Sequence, residues 1–362
     1  MITVSDLSLN YSGTPLFSHV DLQFVKGNCY GIIGANGAGK STFLKILAGT
    51  LEPTSGEVSI LPNTRMSILK QDQDQYNAYT VMDTVLMGNQ YLYDIGKEMN
   101  ALYEKENFTD EDGIKAAELQ AEYSELGGYE SESDASRILQ GLGVGTQYHD
   151  TLMENMDPRL KVKVLLAQAL FGSPDILMMD EPTNNLDIAA TNWLEEFLLD
   201  FEGTVIVVSH DRHFLNTICT HIVDIDYNKV KMYVGNYDFW YDASQLMQNL
   251  MKAQNKKNEE KAQELKEFIS RFSANKSKSK QATARRKLLE KITLEEIPAS
   301  SRRYPWVQFN PDREVGKDIL FVTDVSKTVD GVKVLDKVSF TVRHGDKIAF
   351  VGENENAHTA LF

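Results

Sequence analysis

Residues 34–42 read GANGAGKST and follow directly on the apolar run YGIIG. Few stretches of this length leave a chain so little choice. Glycines at 34, 37 and 39 permit backbone angles that other residues resist, so successive N–H groups can turn inward on a phosphate. Lys40 is then placed to reach β and γ phosphoryl oxygens, and the Ser41 hydroxyl to hold Mg2+. The loop needs a buried strand before it and a helix after it, and the spacing predicts that helix over Lys40–Leu47. The fold class is therefore α/β of the P-loop NTPase type. Gly34, Asn36, Gly37, Ala38, Gly39, Lys40, Ser41 and Thr42 are the candidate nucleotide-binding residues.

A second element, ILMMDEP at residues 176–182, has the form of a buried strand ending in two carboxylates. There Asp180 suits the Mg2+ ion, and Glu181 suits the water that attacks the terminal phosphate. Acidic residues often end strands, so this pair is weak evidence alone; together with the glycine loop it points to nucleoside triphosphate hydrolysis. The β-branched run Thr204–Val208 has the composition of another buried strand. Strands are expected near Ile2–Leu9 and Val20–Phe24, and a Glu-, Ala- and Leu-rich stretch over 88–171 reads as helical.

At 362 residues the chain exceeds what one core usually serves, and an internal repeat accounts for the excess. Shifted by 318, VSDLSLNYSGTPLFSHVDLQF (4–24) falls on VTDVSKTVDGVKVLDKVSFTV (322–342) without a gap. Gly13, Gly27 and Gly34 fall on Gly331, Gly345 and Gly352. The expected organisation is a first domain over 1–241 with its helical region at 88–171, a charged helical linker over 242–303, and the start of a second domain over 318–362. The linker pattern runs from Ala243 to Lys291 and is interrupted at SANKSKSKQ (273–281), as in a helical hairpin or short coiled coil.

A net charge of −15 argues on average against a polyanionic partner, but the charge is segregated. Asp94 to Asp134 holds thirteen acids and three lysines, whereas Arg271 to Lys291 holds eight basic residues and one acid, Glu290. A charge run is usually a solvated face. A tip bearing Lys276, Lys278, Lys280, Arg285, Arg286 and Lys287 also suits sequence-independent contact with RNA phosphates. Cys29 and Cys219 lie in apolar segments with no metal or redox spacing between them, as expected of buried thiols in a reducing cytosol. No run of about 18 uncharged apolar residues occurs, and the first residues lack a signal pattern, so no membrane insertion is expected.

GANGAGKST, Gln71 after a strand, KVKVLLAQALF, ILMMDEPTNNLD and VIVVSHDRHFL together resemble the ordered motifs of an ATP-binding cassette domain. Tandem cassettes, a charged helical linker and the wording EPTNNLD resemble the ABC-F family, soluble ATPases that act on the translating ribosome. That resemblance implies ATP and Mg2+ as cofactors and a cytoplasmic location. It also implies Tyr11 stacking on adenine, Gln71 sensing Mg2+ and the γ-phosphate, His210 contacting the γ-phosphate, and Asp187 at a partner interface. In that family the linker reaches peptidyl-tRNA, an acidic helical arm (here about 88–125) sits at the ribosome's exit side, and cassettes associate through their faces. The alternative is the ATP-binding subunit of a membrane transporter, which would carry the same motifs but need no basic linker.

Two departures from the family pattern converge. The signature segment, usually LSGGQ, here reads Met156, Asp157, Pro158, Arg159, Leu160; Asp157 sets a negative charge toward phosphate and Pro158 removes an N–H donor. Asp then Pro is nonetheless a sound helix start. In the second loop, GENENAHT (352–359), Glu355 and Ala357 replace glycines, His358 replaces the lysine, and Val329 stands where the first copy has Tyr11. In the family each nucleotide lies between the loop of one cassette and the signature of the other, so the resemblance implies that both losses fall in one composite site, and an asymmetric ATPase with one live site is expected.

Overall fold

The computed structural model describes residues 1–11, 14–70, 72–226, 228–272, 316–329, 331–352 and 354–362. The chain divides into two compact units, Met1–Arg302 and Arg303–Phe362.

The first unit is built on a six-stranded sheet of order β5-β6-β7-β3-β8-β9. Its strands are β3 (Cys29–Gly34), β5 (Met66–Ile68), β6 (Ile176–Asp180), β7 (Thr204–Val208), β8 (His221–Asp226) and β9 (Lys229–Val234). All pairs are parallel except β8 with β9. Every residue of β7 is buried, as a central parallel strand requires, and burial of each large apolar side chain there contributes about 1.5–3 kcal/mol.

The alternation of side chains divides the core in two. Tyr30, Ile32, Ile176, Met178, Ile206 and Val208 pack on one side with α1 (Lys40–Leu47) and an antiparallel sheet of order β2-β1-β4. That smaller sheet comprises β1 (Ile2–Tyr11), β2 (Thr14–Phe24) and β4 (Ser55–Ile60). Cys29, Ile33, Leu177, Met179, Val205 and Val207 face the other way, onto a helical layer.

That layer holds α2 (Val81–Leu86), α3 (Gln90–Tyr103), α4 (Asp110–Glu125), α5 (Ser131–Gly141), α6 (Pro158–Leu170), α7 (Ile188–Leu199) and α8 (Arg212–Ile218). The acidic segment is a hairpin of α3 and α4. Thr109 and Asp112 close α4 with a reciprocal capping box, which suits its acidic first turn.

The helix expected from Ala243 begins six residues earlier: α9 runs over Tyr237–Phe272, 36 residues. The Asn236 carboxamide accepts from the Phe239 N–H at 3.1 Å and starts it, and Trp240 is buried with its indole N–H donating to Asp224 at 3.1 Å. One helix thus crosses the boundary expected between the first domain and the linker. The interruption at 273–281, the returning helix and the six basic tip residues lie outside the described residues.

The second unit holds the ribbon β10 (Asp318–Val329) and β11 (Val332–Arg343), followed by α10 (Glu355–Leu361). Its ribbon reproduces β1 and β2 of the first unit in detail. Asp6 and His19 adopt left-handed φ of 47° and 52°, and their counterparts Asp324 and Lys337 both have φ of 48°. The same bonds hold both bulges: Asp6 N–H donates to Asp21 and His19 N–H to Ser8 Oγ, while Asp324 N–H donates to Ser339 Oγ and Lys337 N–H to Ser326 Oγ. The offset of 318 is therefore structural as well as textual.

Burial differs. Ile2, Val4 and Leu7 are buried in the first copy, whereas Leu320 and Val325 are exposed in the second. Backbone hydrogen bonds with so little cover open readily. Hydrogen exchange of the purified chain should saturate over 318–343 at the earliest time points while β3, β6 and β7 remain protected. Equal protection of the two regions would show that something covers the ribbon.

Candidate active site

Because β6, β7 and β3 run parallel in register, their carboxyl ends share one edge: Asp180 pairs with Val208, and Val208 with Ile32. Sites in open parallel sheets form at such an edge, where connections diverge. The glycine loop leaves β3 there, and the residues after β6 and β7 arrive beside it.

The loop has the shape its glycines predict. Gly37 and Gly39 have φ of 82° and 96°, angles costly for any side chain. Gly34 faces a different demand, since a Cβ there would meet the Ile225 carbonyl oxygen at 2.7 Å. Gly39 starts α1 without a side-chain cap, so the helix meets the loop with first-turn N–H groups that no capping side chain accepts. Lys40 is buried and curls over the loop, its ammonium donating to the carbonyls of Gly34 and Ala35 at 3.1 Å each. Ser41 is exposed and Thr42 partly so.

Across the edge, Glu181 is held at φ 52°, a strained angle for glutamate, with its N–H donating to the Val208 carbonyl at 2.8 Å. Its carboxylate accepts from the His210 N–H at 3.3 Å and lies 3.6 Å from His210 Nε2. The oxygen nearest the imidazole, Oε1, is buried with no hydrogen-bond partner. Burial pushes the Glu181 carboxyl above its usual range, offset in part by His210; Asp180 raises it further and Lys40 lowers it. A carboxylate so placed suits accepting a proton.

Asp187 starts α7, accepting from the Ala190 N–H at 2.8 Å and from Lys163 at 2.8 Å, and Lys163 holds its carboxyl below the usual range. Lys163 is buried, as is Lys161, which donates to Asn77 at 2.8 Å. These two lysines of α6 fasten it to the segment after Gln71 and to the segment after Glu181. Sequence reasoning had no signal for either, since a lysine ordinarily reads as solvated. The start of α6 is as expected: Asp157 caps it, accepting from the Arg159 N–H at 2.8 Å, and Pro158 opens its first turn.

Of the other expected site residues, Tyr11 ends β1 but its side chain lies outside the described residues, as does Gln71. In the second copy the region of the loop is helical. Residues 355–357, the counterparts of Gly37–Gly39, belong to α10, and Asn354 caps it by accepting from the Ala357 N–H at 3.2 Å. A helix that supplies its own cap has turned that amide away from a phosphate.

Among the described residues, no group of three or more His, Cys, Asp or Glu side chains is arranged to hold a metal alone. Mg2+ is commonly held by a hydroxyl and one carboxylate together with substrate phosphates. Ser41, Asp180 and the partnerless Glu181 oxygen fit such an ion and its water.

Fold and site together define a P-loop ATPase of the ATP-binding cassette class. Residues 17–184 match the family described as ABC transporter, and residues 223–309 match a second family of the same description. A Bacillus subtilis (strain 168) protein described as an uncharacterized ABC transporter ATP-binding protein, YkpA, is 58% identical over 362 residues, covering 100% of this chain and 67% of that one. The ABC transporter F family member 4 of Arabidopsis thaliana is 32% identical over 390 residues, covering 99% of this chain and 52% of its own. A solved structure titled as an ATP binding subunit of an ABC transporter superposes with a TM-score of 0.51 at 20% identity, over 66% of this chain and 90% of its own, and speaks for the fold alone. The chain belongs to the ABC-F family of ATP-binding cassette proteins. Among the described residues no helix is long and apolar enough to cross a membrane.

Proposed function

We propose that the first cassette binds and hydrolyses Mg2+-ATP and that the protein acts on the ribosome in the cytoplasm through its basic linker. The observation that carries the catalytic part is the meeting of the glycine loop with the Glu181–His210 pair at one strand edge. The loop amides and Lys40 bind and orient the phosphates, and Tyr11 stacks on the base. Ser41, Asp180 and Gln71 hold the ion, which when bound neutralises charge on the phosphoryl oxygens. Glu181 takes the proton of the attacking water, and His210 orients Glu181 and meets the terminal phosphate. The second copy, with a capped helix in place of its loop, takes no part in turnover. Self-association through cassette faces belongs to the same proposal.

The ribosomal part rests on the segregated charge of the linker and on family membership. Replacing Lys276, Lys278, Lys280, Arg285, Arg286 and Lys287 together with Gln should leave ATP binding unchanged but weaken co-sedimentation with ribosomes. The log–log salt dependence should flatten by up to about 4, from roughly 0.7 for each phosphate no longer neutralised. Undiminished co-sedimentation of the variant at every salt concentration would reduce the tip to a solvated face. Association of the wild-type chain with membranes instead of ribosomes would favour the transporter subunit.

A further inference from the structure

The two cysteines, 190 positions apart, meet in the fold: Sγ of Cys29 and Sγ of Cys219 are 3.8 Å apart. Cys29 opens β3, the strand that delivers the glycine loop, and Cys219 follows the last residue of α8, the helix that begins just after His210. Their backbones are already joined. The Thr220 N–H donates to the Cys29 carbonyl at 2.9 Å, and the Cys29 N–H donates to Thr220 Oγ1 at 3.1 Å. Gly31 keeps the space beside them, since a Cβ there would lie 2.8 Å from Cys219 Sγ. Both thiols are free and buried, and neither takes part in the ATPase site.

We propose that Cys29 and Cys219 are a modification site: an intramolecular disulfide that fastens the end of α8 to the start of β3. A bonded pair needs its sulfurs at about 2.05 Å, and the remaining approach is within reach of side-chain rotation and a small shift of the last turn of α8. The chemistry requires a low-molecular-weight disulfide as oxidant. One protein thiol loses its proton and attacks that disulfide, forming a mixed disulfide and releasing one small thiolate. The second protein thiol loses its proton, attacks the protein sulfur of the mixed disulfide and releases the second small thiolate. Two protein thiols become one S–S bond, two electrons reduce the oxidant to two thiols, and no other atoms are exchanged. Burial pushes the Cys29 thiol well above its ordinary value, with Cys219 adding to the effect, so reaction awaits brief opening of the end of α8. Oxidation then ties β3 to α8 across most of the first unit and removes freedom from the unfolded chain.

The test treats the native chain with oxidised glutathione and follows intact mass, thiol titration and peptide mapping under non-reducing conditions. The expected product has lost two hydrogen atoms and no accessible thiol remains. It links the Cys29 and Cys219 peptides, melts at a higher temperature than the reduced chain, and reverts with dithiothreitol. Cys219→Ser should abolish the internal link and leave at most a glutathione adduct on Cys29. Retention of both alkylatable thiols after prolonged exposure, or formation only of glutathione adducts or cross-linked dimers, would overturn the proposal. Since the decisive map is made on the wild-type chain, a folding defect in the variant does not obscure it.

Discussion

Calorimetric titration with Mg2+-ATP should give one site per chain, and Lys40→Ala should leave none measurable. Lys40 lies at the mouth of a loop whose Gly37 and Gly39 angles only glycine adopts easily. Its ammonium, resting on the Gly34 and Ala35 carbonyls, is in position to turn to phosphate. Charge-assisted bonds of this kind contribute about 1.5–3 kcal/mol each, so removing the bonds to two phosphoryl groups weakens binding by roughly 100-fold or more. Lys40→Met keeps the buried stem of the side chain and should give the same effect, which separates charge from packing. The second copy contributes nothing to the stoichiometry because His358 stands for the lysine and Asn354 closes the helix. Two sites per chain, or undiminished affinity in either variant, would contradict this assignment.

Glu181→Gln should remove hydrolysis and yet stabilise the fold. The amide cannot accept the proton of the attacking water, and loss of a general base typically lowers rate by about 10²–10⁴-fold. Single-turnover measurement of γ-phosphate release, compared between wild type and variant at equal nucleotide occupancy, reads this directly. The stability effect has the opposite sign. Burial raises the Glu181 carboxyl above its usual range, so the folded chain binds this proton more tightly than the unfolded chain does. Wild-type stability from this group is complete below the unfolded value and falls as pH rises through the raised folded value. Glutamine cannot ionise and escapes that loss. The variant should therefore melt higher than wild type at neutral pH, with the gap closing toward acid. Wild-type rates in the variant would remove Glu181 from the role of base, and a gap that widens toward acid would contradict the raised carboxyl.

The sequence was most legible where local rules and tertiary demands coincide. The predicted helix Lys40–Leu47 is matched at both ends because a glycine loop starts it at a fixed residue, and Thr204–Val208 is matched because five β-branched residues suit only a buried strand. At Tyr237 the two diverged. The stretch YDFWYD is a modest helix former, and burial of Trp240 against Asp224 decided the matter from outside the segment. Strands β8 and β9 escaped notice because charged residues interrupt them and their pairing is supplied by a neighbour. The meeting of Cys29 with Cys219 had no local signature, since it arises from parallel placement of distant segments. At the site, residue types and order sufficed to name Lys40, Asp180 and Glu181, and the family resemblance added His210, but the strained Glu181 backbone and its buried oxygen without a hydrogen-bond partner required coordinates.

The base of α9 is gripped by the helix that follows His210. Arg212 lies over the Tyr237 ring, 5.6 Å from its centre, and the Asn216 carboxamide accepts from the Asp238 N–H at 2.9 Å. From this grip to its far end the 36-residue helix is about 54 Å long at 1.5 Å per residue. Such a rod has mechanical gain. A tilt of about 10° at its base carries its far end through roughly 9 Å, while the side chains at the pivot shift by little more than a rotamer change. Any change in the direction of the first turn would therefore be felt most at Phe272, where the lever is longest.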